Sequence, residues 1–170
     1  DMGCGTGLAI KYLSILEDQY VGIDYSESML MKAKLKYPEY NFVHGSITDF
    51  QFKRHFDLVL CAFDTINHIL EKSDWRRVFQ NAYNHMTNES NFIFDVVTQY
   101  DHINNWNGQT NITKSAEWIF DEKYDYDKRE QIGIINSTLS LYRDNQWIHY
   151  NEKIKHKAYP QNEIMDIINE

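Results

Sequence analysis

The chain has 170 residues, enough for one domain with a sizeable core, and its 42% hydrophobic and 15% aromatic content excludes disorder. A formal net charge of −8, with no stripe of Lys or Arg, argues against a nucleic-acid partner. Two cysteines, Cys4 and Cys61, cannot staple a fold or hold a metal at their spacing, and no apolar run approaches the roughly 20 residues of a membrane span.

The first residues are Asp1-Met2-Gly3-Cys4-Gly5-Thr6-Gly7, a tight turn whose backbone can pass close to a ligand. Leu8 to Glu17 reads as a helix with Leu8, Tyr12, Leu13, Ile15 and Leu16 on a broad apolar face. A glycine turn that opens a helix follows a strand. A central strand is therefore expected upstream of Asp1, and the sequence reads as a longer chain cut at both ends. Tyr20 to Asp24 is a short buried strand, and Ser26 caps a helix that runs to about Tyr37 and stops at Pro38. Asn41 to His44 and Phe56 to Cys61 are strand-like, Ser73 caps a helix to about Met86, and Asn91 to Val97 is a further apolar strand. Strands alternating with helices predict an α/β fold with a mostly parallel sheet covered on both faces.

From about residue 115 the pattern changes. Gln131 to Tyr142 and Gln146 to His156 predict two long antiparallel strands around Arg143-Asp144-Asn145. The charge-dense run Asp121 to Glu130 mixes both signs and is expected to be a solvated strand end or turn. Tyr159-Pro160 leads into a last helical segment, Glu163 to Asn169. The division expected is a core over 1–114, an antiparallel cap over 115–160, and over 161–170 the start of a helix returning to the core. Three glycosylation sequons, at Asn88, Asn111 and Asn136, are matches expected by chance, since no secretion signal accompanies them. A cytoplasmic location is the expectation.

The glycine turn narrows the class. A phosphate-binding loop needs Gly-Lys-Ser/Thr, which Leu8 and Ala9 exclude. A dinucleotide fold needs G-x-G-x-x-G, and Gly7 comes one residue early. The acidic-x-G-x-G-x-G pattern instead resembles the cofactor loop of class I S-adenosylmethionine-dependent methyltransferases. Asp24 ends the next strand 17 residues after Gly7, where a carboxylate can accept both ribose hydroxyls of an adenosine.

The resemblance extends along nearly the whole chain. His44 to Phe50 is similar to the adenine-contacting segment, Ala62 to His68 to the substrate-side turn after the fourth strand, and Phe92 to Thr98 to the fifth strand. Trp118 to Pro160 is similar to the antiparallel cap of a small-molecule subgroup that includes amino-sugar N-methyltransferases. This implies a Rossmann-like fold whose cap restricts access to the strand ends. It also implies S-adenosylmethionine as cofactor, S-adenosylhomocysteine as product, and no metal. The cofactor contacts so implied are Asp1, Gly3, Cys4, Gly5, Gly7, Asp24, Tyr25, Ser46, Ile47 and Phe63. There are departures. Ser46 stands where the family often has an acid for the adenine amino group, and Met86 to Asn91 replaces a Lys-Pro-Gly-Gly-like turn. The Asn/Asp-Pro-Pro-aromatic motif of enzymes that methylate base amines is absent after Cys61, which agrees with a small-molecule acceptor.

Methyl transfer is an in-line displacement that needs alignment and desolvation more than a strong catalyst. An amine acceptor must be neutral to attack, so a nearby base helps. His68, after the fourth strand, is the candidate base, and Asp64 and Asn67 are candidates to hydrogen-bond the acceptor. Phe63 can pack on the cofactor or in the core. His149 and His156 lie seven apart on a strand and so on opposite faces, while His44, His55, His85 and His102 have no partner at informative spacing. Trp118, Trp147, Tyr124 and Tyr126 are either a substrate wall or sheet packing. Two other readings compete with an enzyme methylating N or O of a small molecule: a non-catalytic S-adenosylmethionine-binding or regulatory subunit, and a nicotinamide-dependent oxidoreductase. A homodimer cannot be derived from the residues.

Overall fold

The structure, a computed structural model, describes residues 1–13 and 16–169. They divide into two compact units, residues 1–66 with 71–96, and residues 67–70 with 97–170. It is an α/β fold with parallel strand pairs in the first unit and a separate antiparallel sheet in the second.

In the first unit β1 (Val21–Asp24) pairs in parallel with β2 (Asn41–His44), and β3 (Phe56–Cys61) with β4 (Met86–Phe94). Asp1 and Met2 run between these pairs. The Ile23 N–H donates to the Asp1 carbonyl at 2.9 Å, and the Met2 N–H donates to the Leu60 carbonyl at 2.7 Å. The N-terminal end of the chain thus occupies the central place expected of a strand leading into the glycine turn.

Helix α2 (Glu27–Lys36) follows the sequence reading closely, with the Ser26 hydroxyl accepting from the Met29 N–H. Its Leu30 and Ala33 join Cys4, Ile10, Tyr20 and Phe42 in a buried cluster. The first helix does not follow the reading. Among the described residues the helix α1 spans Ile10–Leu13 and a 3-10 turn spans Glu17–Gln19, while Leu8, Tyr12 and Leu16 are exposed and Ala9 and Ile10 are buried. Ile15, placed on the expected apolar face, lies outside the described residues.

Helix α3 (Lys72–Asn84) starts earlier than Ser73, with Glu71 at its N-cap. Trp75 is fully buried, and its N–H finds an acceptor at the Glu71 carbonyl, 3.2 Å away. A helix capped at Ser73 would leave that group to be satisfied some other way. Trp75, Val78 and Ala82 form the buried face, and Phe79 meets Phe92 and Phe94 with ring centres 5.9 and 5.3 Å away. Strand β4 contains Asn91 to Phe94 in register with Leu58 to Cys61, but it ends at Phe94 rather than Val97. Asp95 leaves the ladder to bind another loop, described below.

In the second unit, Thr98 caps a short helix, α4 (Gln99–Asp101), in a reciprocal capping box with Asp101. It continues as a π-helical turn, His102–Trp106. Then β5 (Thr110–Lys114), β6 (Trp118–Asp127), β7 (Ile132–Arg143) and β8 (Gln146–Lys157) form one antiparallel sheet in chain order. Strand β5 is polar and wholly exposed, so no periodicity announced it; its strand state comes from pairing with β6. Within the run Asp121 to Glu130, Asp121 to Asp127 is the end of strand β6, where Asp121 pairs with both Ile112 and Thr138. Only the next residues turn, with the Asp127 carboxylate accepting from the N–H groups of Arg129 and Glu130.

The β7–β8 hairpin is one residue tighter than expected. Arg143 pairs with Gln146, leaving Asp144 and Asn145 alone in the turn with φ of 51° and 61°. Two consecutive left-handed residues are what a two-residue hairpin requires, and Asp and Asn tolerate them. Helix α5 (Gln161–Asn169) buries Ile164 and Ile167. Among the described residues no helix is long and apolar enough to cross a membrane.

Candidate functional site

The glycine loop is held from below. Gly3, Gly5 and Gly7 have φ of 73°, 54° and 76°, a region that glycine enters without steric cost. A Cβ on Gly3 would collide with the Thr65 side chain, whose Oγ1 lies 2.7 Å from that position. At Gly5 the opposite holds: a Cβ would meet no protein atom within 4 Å. The loop is therefore packed on the Gly3 side and open at Gly5. That is the geometry of a cradle for a ligand.

Asp24 ties this loop to the next helix. One carboxylate oxygen accepts from the Gly5 N–H and the other from the Ser26 N–H, both at 2.8 Å. Each oxygen retains a second lone pair for a ligand hydroxyl. Asp1 accepts from the buried Tyr20 hydroxyl at 2.7 Å. Cys4 is buried beneath the loop, where burial and then the Asp24 charge push its thiol up to about 12, so it acts as a small apolar group. Tyr25 stands 80% exposed beside Asp24. The Ser46 hydroxyl bonds to Thr48, accepting its N–H at 3.1 Å and meeting its Oγ1 at 2.7 Å, and Ile47 is buried.

After β3 the chain makes an unusual turn. Phe63 and Asp64 are consecutive non-glycine residues at φ of 62° and 51°. The left-handed region costs an ordinary residue about 1–2 kcal/mol. Both N–H groups donate to the Asp95 carboxylate, Phe63 at 3.0 Å and Asp64 at 2.8 Å, while the Thr65 hydroxyl donates to the Ala62 carbonyl at 2.8 Å. The Phe63 ring is left 61% exposed, which removes the core role allowed by the sequence. Cys61, directly before the turn, is fully buried, and burial followed by the Asp95 charge raises its thiol to about 12.

Asn67 and His68 belong to the second unit. Asn67 is fully buried and its amide is committed to backbone. It donates to the carbonyls of Val97 and Lys157, both at 2.8 Å, and accepts from the Val97 N–H at 3.0 Å. No part of that amide is exposed to an acceptor molecule; Asn67 fastens the segment that carries His68. His68 is exposed, with its ring edge-on to His156 at 4.6 Å between centres. Behind His156 lies His102, which packs on the Gly133 backbone and stacks with Tyr126 at 5.8 Å. Burial, then the neighbouring His68 and His102, lowers His156 to about 4; burial likewise lowers His102. These rings are neutral near pH 7. Among the described residues no group of His, Cys, Asp and Glu is arranged to hold a metal.

His149 bonds to Ser140, on the exposed part of β8, opposite in facing to buried His156. His85 is structural: its Nε2 accepts from the Phe52 N–H and its Nδ1 donates to the Asn81 carbonyl. Two features escaped the sequence reading. Asp95 sits 31 residues from the turn it binds and carries no motif. The row of His68, His156 and His102 is drawn from three distant segments, so no spacing signals it.

The family model for a methyltransferase domain matches residues 1–89, more than half of the chain. The chain belongs to this family. A protein of Geobacillus sp. (strain WCH70), provisionally named a methyltransferase, is 32% identical over 109 residues, covering 61% of this chain and 44% of that protein. The dTDP-3-amino-3,6-dideoxy-alpha-D-glucopyranose N,N-dimethyltransferase of Streptomyces fradiae is 31% identical over 74 residues, covering 44% of this chain and 29% of that protein. The match thus spans less than half the length of either relative. The structure of an S-adenosylmethionine-dependent methyltransferase from Clostridium acetobutylicum ATCC 824 superposes with a TM-score of 0.86 at 20% identity, covering 99% of this chain and 70% of that one. The fold is that of a class I methyltransferase.

Proposed function

We propose that the protein transfers a methyl group from S-adenosylmethionine to an amine of a small molecule, with an amino sugar as the acceptor class. The observation that carries this is the glycine loop, open at Gly5 and tied through Asp24 to Ser26, inside the span of the methyltransferase family. The acceptor class rests on the likeness to the Streptomyces fradiae amino-sugar enzyme. A net charge of −8 supports an acceptor other than nucleic acid.

When bound, the cofactor supplies a methyl group already activated on a sulfonium. The Asp24 carboxylate would accept the ribose hydroxyls, and the open backbone at Gly5 would hold the methionine end. Tyr25 and Phe63 offer exposed rings to flank the adenosine and exclude water. Asp64 would orient the acceptor, and His68 would take the proton that the amine loses. Well-aligned reactants contribute on the order of 7–11 kcal/mol, so most of the rate comes from positioning.

The test is methyl transfer by the full-length protein to a panel of amino-sugar nucleotides, for wild type and His68→Ala. A base should contribute about 10²–10⁴-fold to turnover. S-adenosylmethionine affinity should be unchanged in the variant. Turnover within about threefold of wild type would remove His68 as the base. Cofactor binding with no transfer to any acceptor would make the protein a non-catalytic binding subunit instead.

A further inference from the structure

Five described non-glycine residues have positive φ: Phe63, Asp64, Gln131, Asp144 and Asn145. Three of them sit in the tight connections between antiparallel strands β6, β7 and β8, where left-handed residues are ordinary. Phe63 and Asp64 do not. They follow parallel strand β3 at its C-terminal end, the place where open α/β sheets build ligand sites. Strain that local turn chemistry does not explain gathers at such sites and persists only where the surroundings enforce it. Here the enforcing group is one carboxylate. Both oxygens of Asp95 are used, one for each of the two strained N–H groups. The Asp95 N–H in turn donates to the Cys61 carbonyl at 3.3 Å, so the residue is anchored to the strand from which the turn departs.

We infer that Asp95 is the positioning residue of the transfer reaction, holding the Phe63–Asp64 turn so that the Phe63 ring and the Asp64 carboxylate face the reactants. This rests on the reading that Phe63 and Asp64 flank the site. Without the carboxylate, two strained residues lose the acceptors of their N–H groups and relax toward ordinary backbone. The exposed Phe63 ring, which has little protein packing to retain it, then leaves its place. Asparagine at 95 keeps one acceptor oxygen and supports one of the two N–H groups.

The experiment compares full-length wild type, Asp95→Asn and Asp95→Ala by amide hydrogen exchange and by transfer kinetics. In Asp95→Ala, exchange at Phe63 and Asp64 should rise at least about tenfold, since one hydrogen bond to a charged group is worth that much or more. Turnover should fall by about tenfold or more, and by a larger factor than S-adenosylmethionine affinity, because Asp24 and the glycine loop keep their contacts when the Phe63 ring is displaced. Asp95→Asn should lie between the two in both measurements. Unchanged exchange in Asp95→Ala overturns the inference, and so does faster exchange with unchanged turnover. A wild-type protein that transfers nothing overturns the proposed function and the positioning role with it. Its exchange rates then still show whether Asp95 holds the turn.

Discussion

Two turns at the strand ends of the first unit solve the same conformational problem in different ways. The loop Gly3 to Gly7 places its three left-handed positions on glycine, which enters that region freely. The turn at Phe63 and Asp64 places them on an aromatic and a carboxylate, and Asp95 offsets the strain by accepting both N–H groups. An aspartate braces each loop: Asp24 spans Gly5 and Ser26, as Asp95 spans Phe63 and Asp64. The difference lies in what each exposes. Glycine leaves bare backbone, suited to a ligand lying flat against the chain. The second turn projects side chains, which under the proposed function distinguish one acceptor from another.

The largest effect should come from destroying the glycine solution. Gly3→Ala adds a methyl group against Thr65 in a left-handed position. It should lose about 2–5 kcal/mol in urea denaturation, the sum of the left-handed cost and the cost of overpacking. Adding Thr65→Ser removes the methyl group on Thr65 and should restore part of that loss. Wild-type stability in Gly3→Ala would show that the loop is not confined from below.

Removing the first brace should be next. Asp24→Ala deletes a charged acceptor, and hydrogen bonds to charged groups contribute about 1.5–3 kcal/mol. Calorimetric affinity for S-adenosylmethionine should fall roughly 10- to 150-fold. Equal affinity in a folded variant would break the parallel between the two aspartates.

Relieving the second turn should give the smallest change, with the opposite sign to Gly3→Ala. Phe63→Gly removes the left-handed cost while adding freedom to the unfolded chain, and the exposed ring surrenders little burial. A net gain of about 0.5–1 kcal/mol is expected in the same denaturation experiment. Transfer should slow even so, because the ring is gone. A loss of stability would mean that the ring packs more than its exposure indicates.

Much of this protein is determined by local sequence. The spacing of Gly3, Gly5 and Gly7 before Asp24, the Ser26 cap, and strands Asn41–His44 and Phe56–Cys61 all depend on short-range patterns of backbone freedom and hydrophobic period. They could be read without coordinates. The Phe63–Asp64 turn could not, because its conformation is enforced by Asp95, just past the end of another strand. The polar strand β5 has no apolar face and is a strand only through its partner β6. Asn67 looked like a site residue because it lies in the right turn, whereas burial and three backbone hydrogen bonds make it a fastener. His156 and His102 carried no sequence signal, and the fold sets them behind His68 and keeps them neutral. Local sequence decides what one stretch of backbone can do alone. A strained turn, an edge strand or a neutral buried imidazole costs free energy that only residues distant in the chain offset, so tertiary structure decides those.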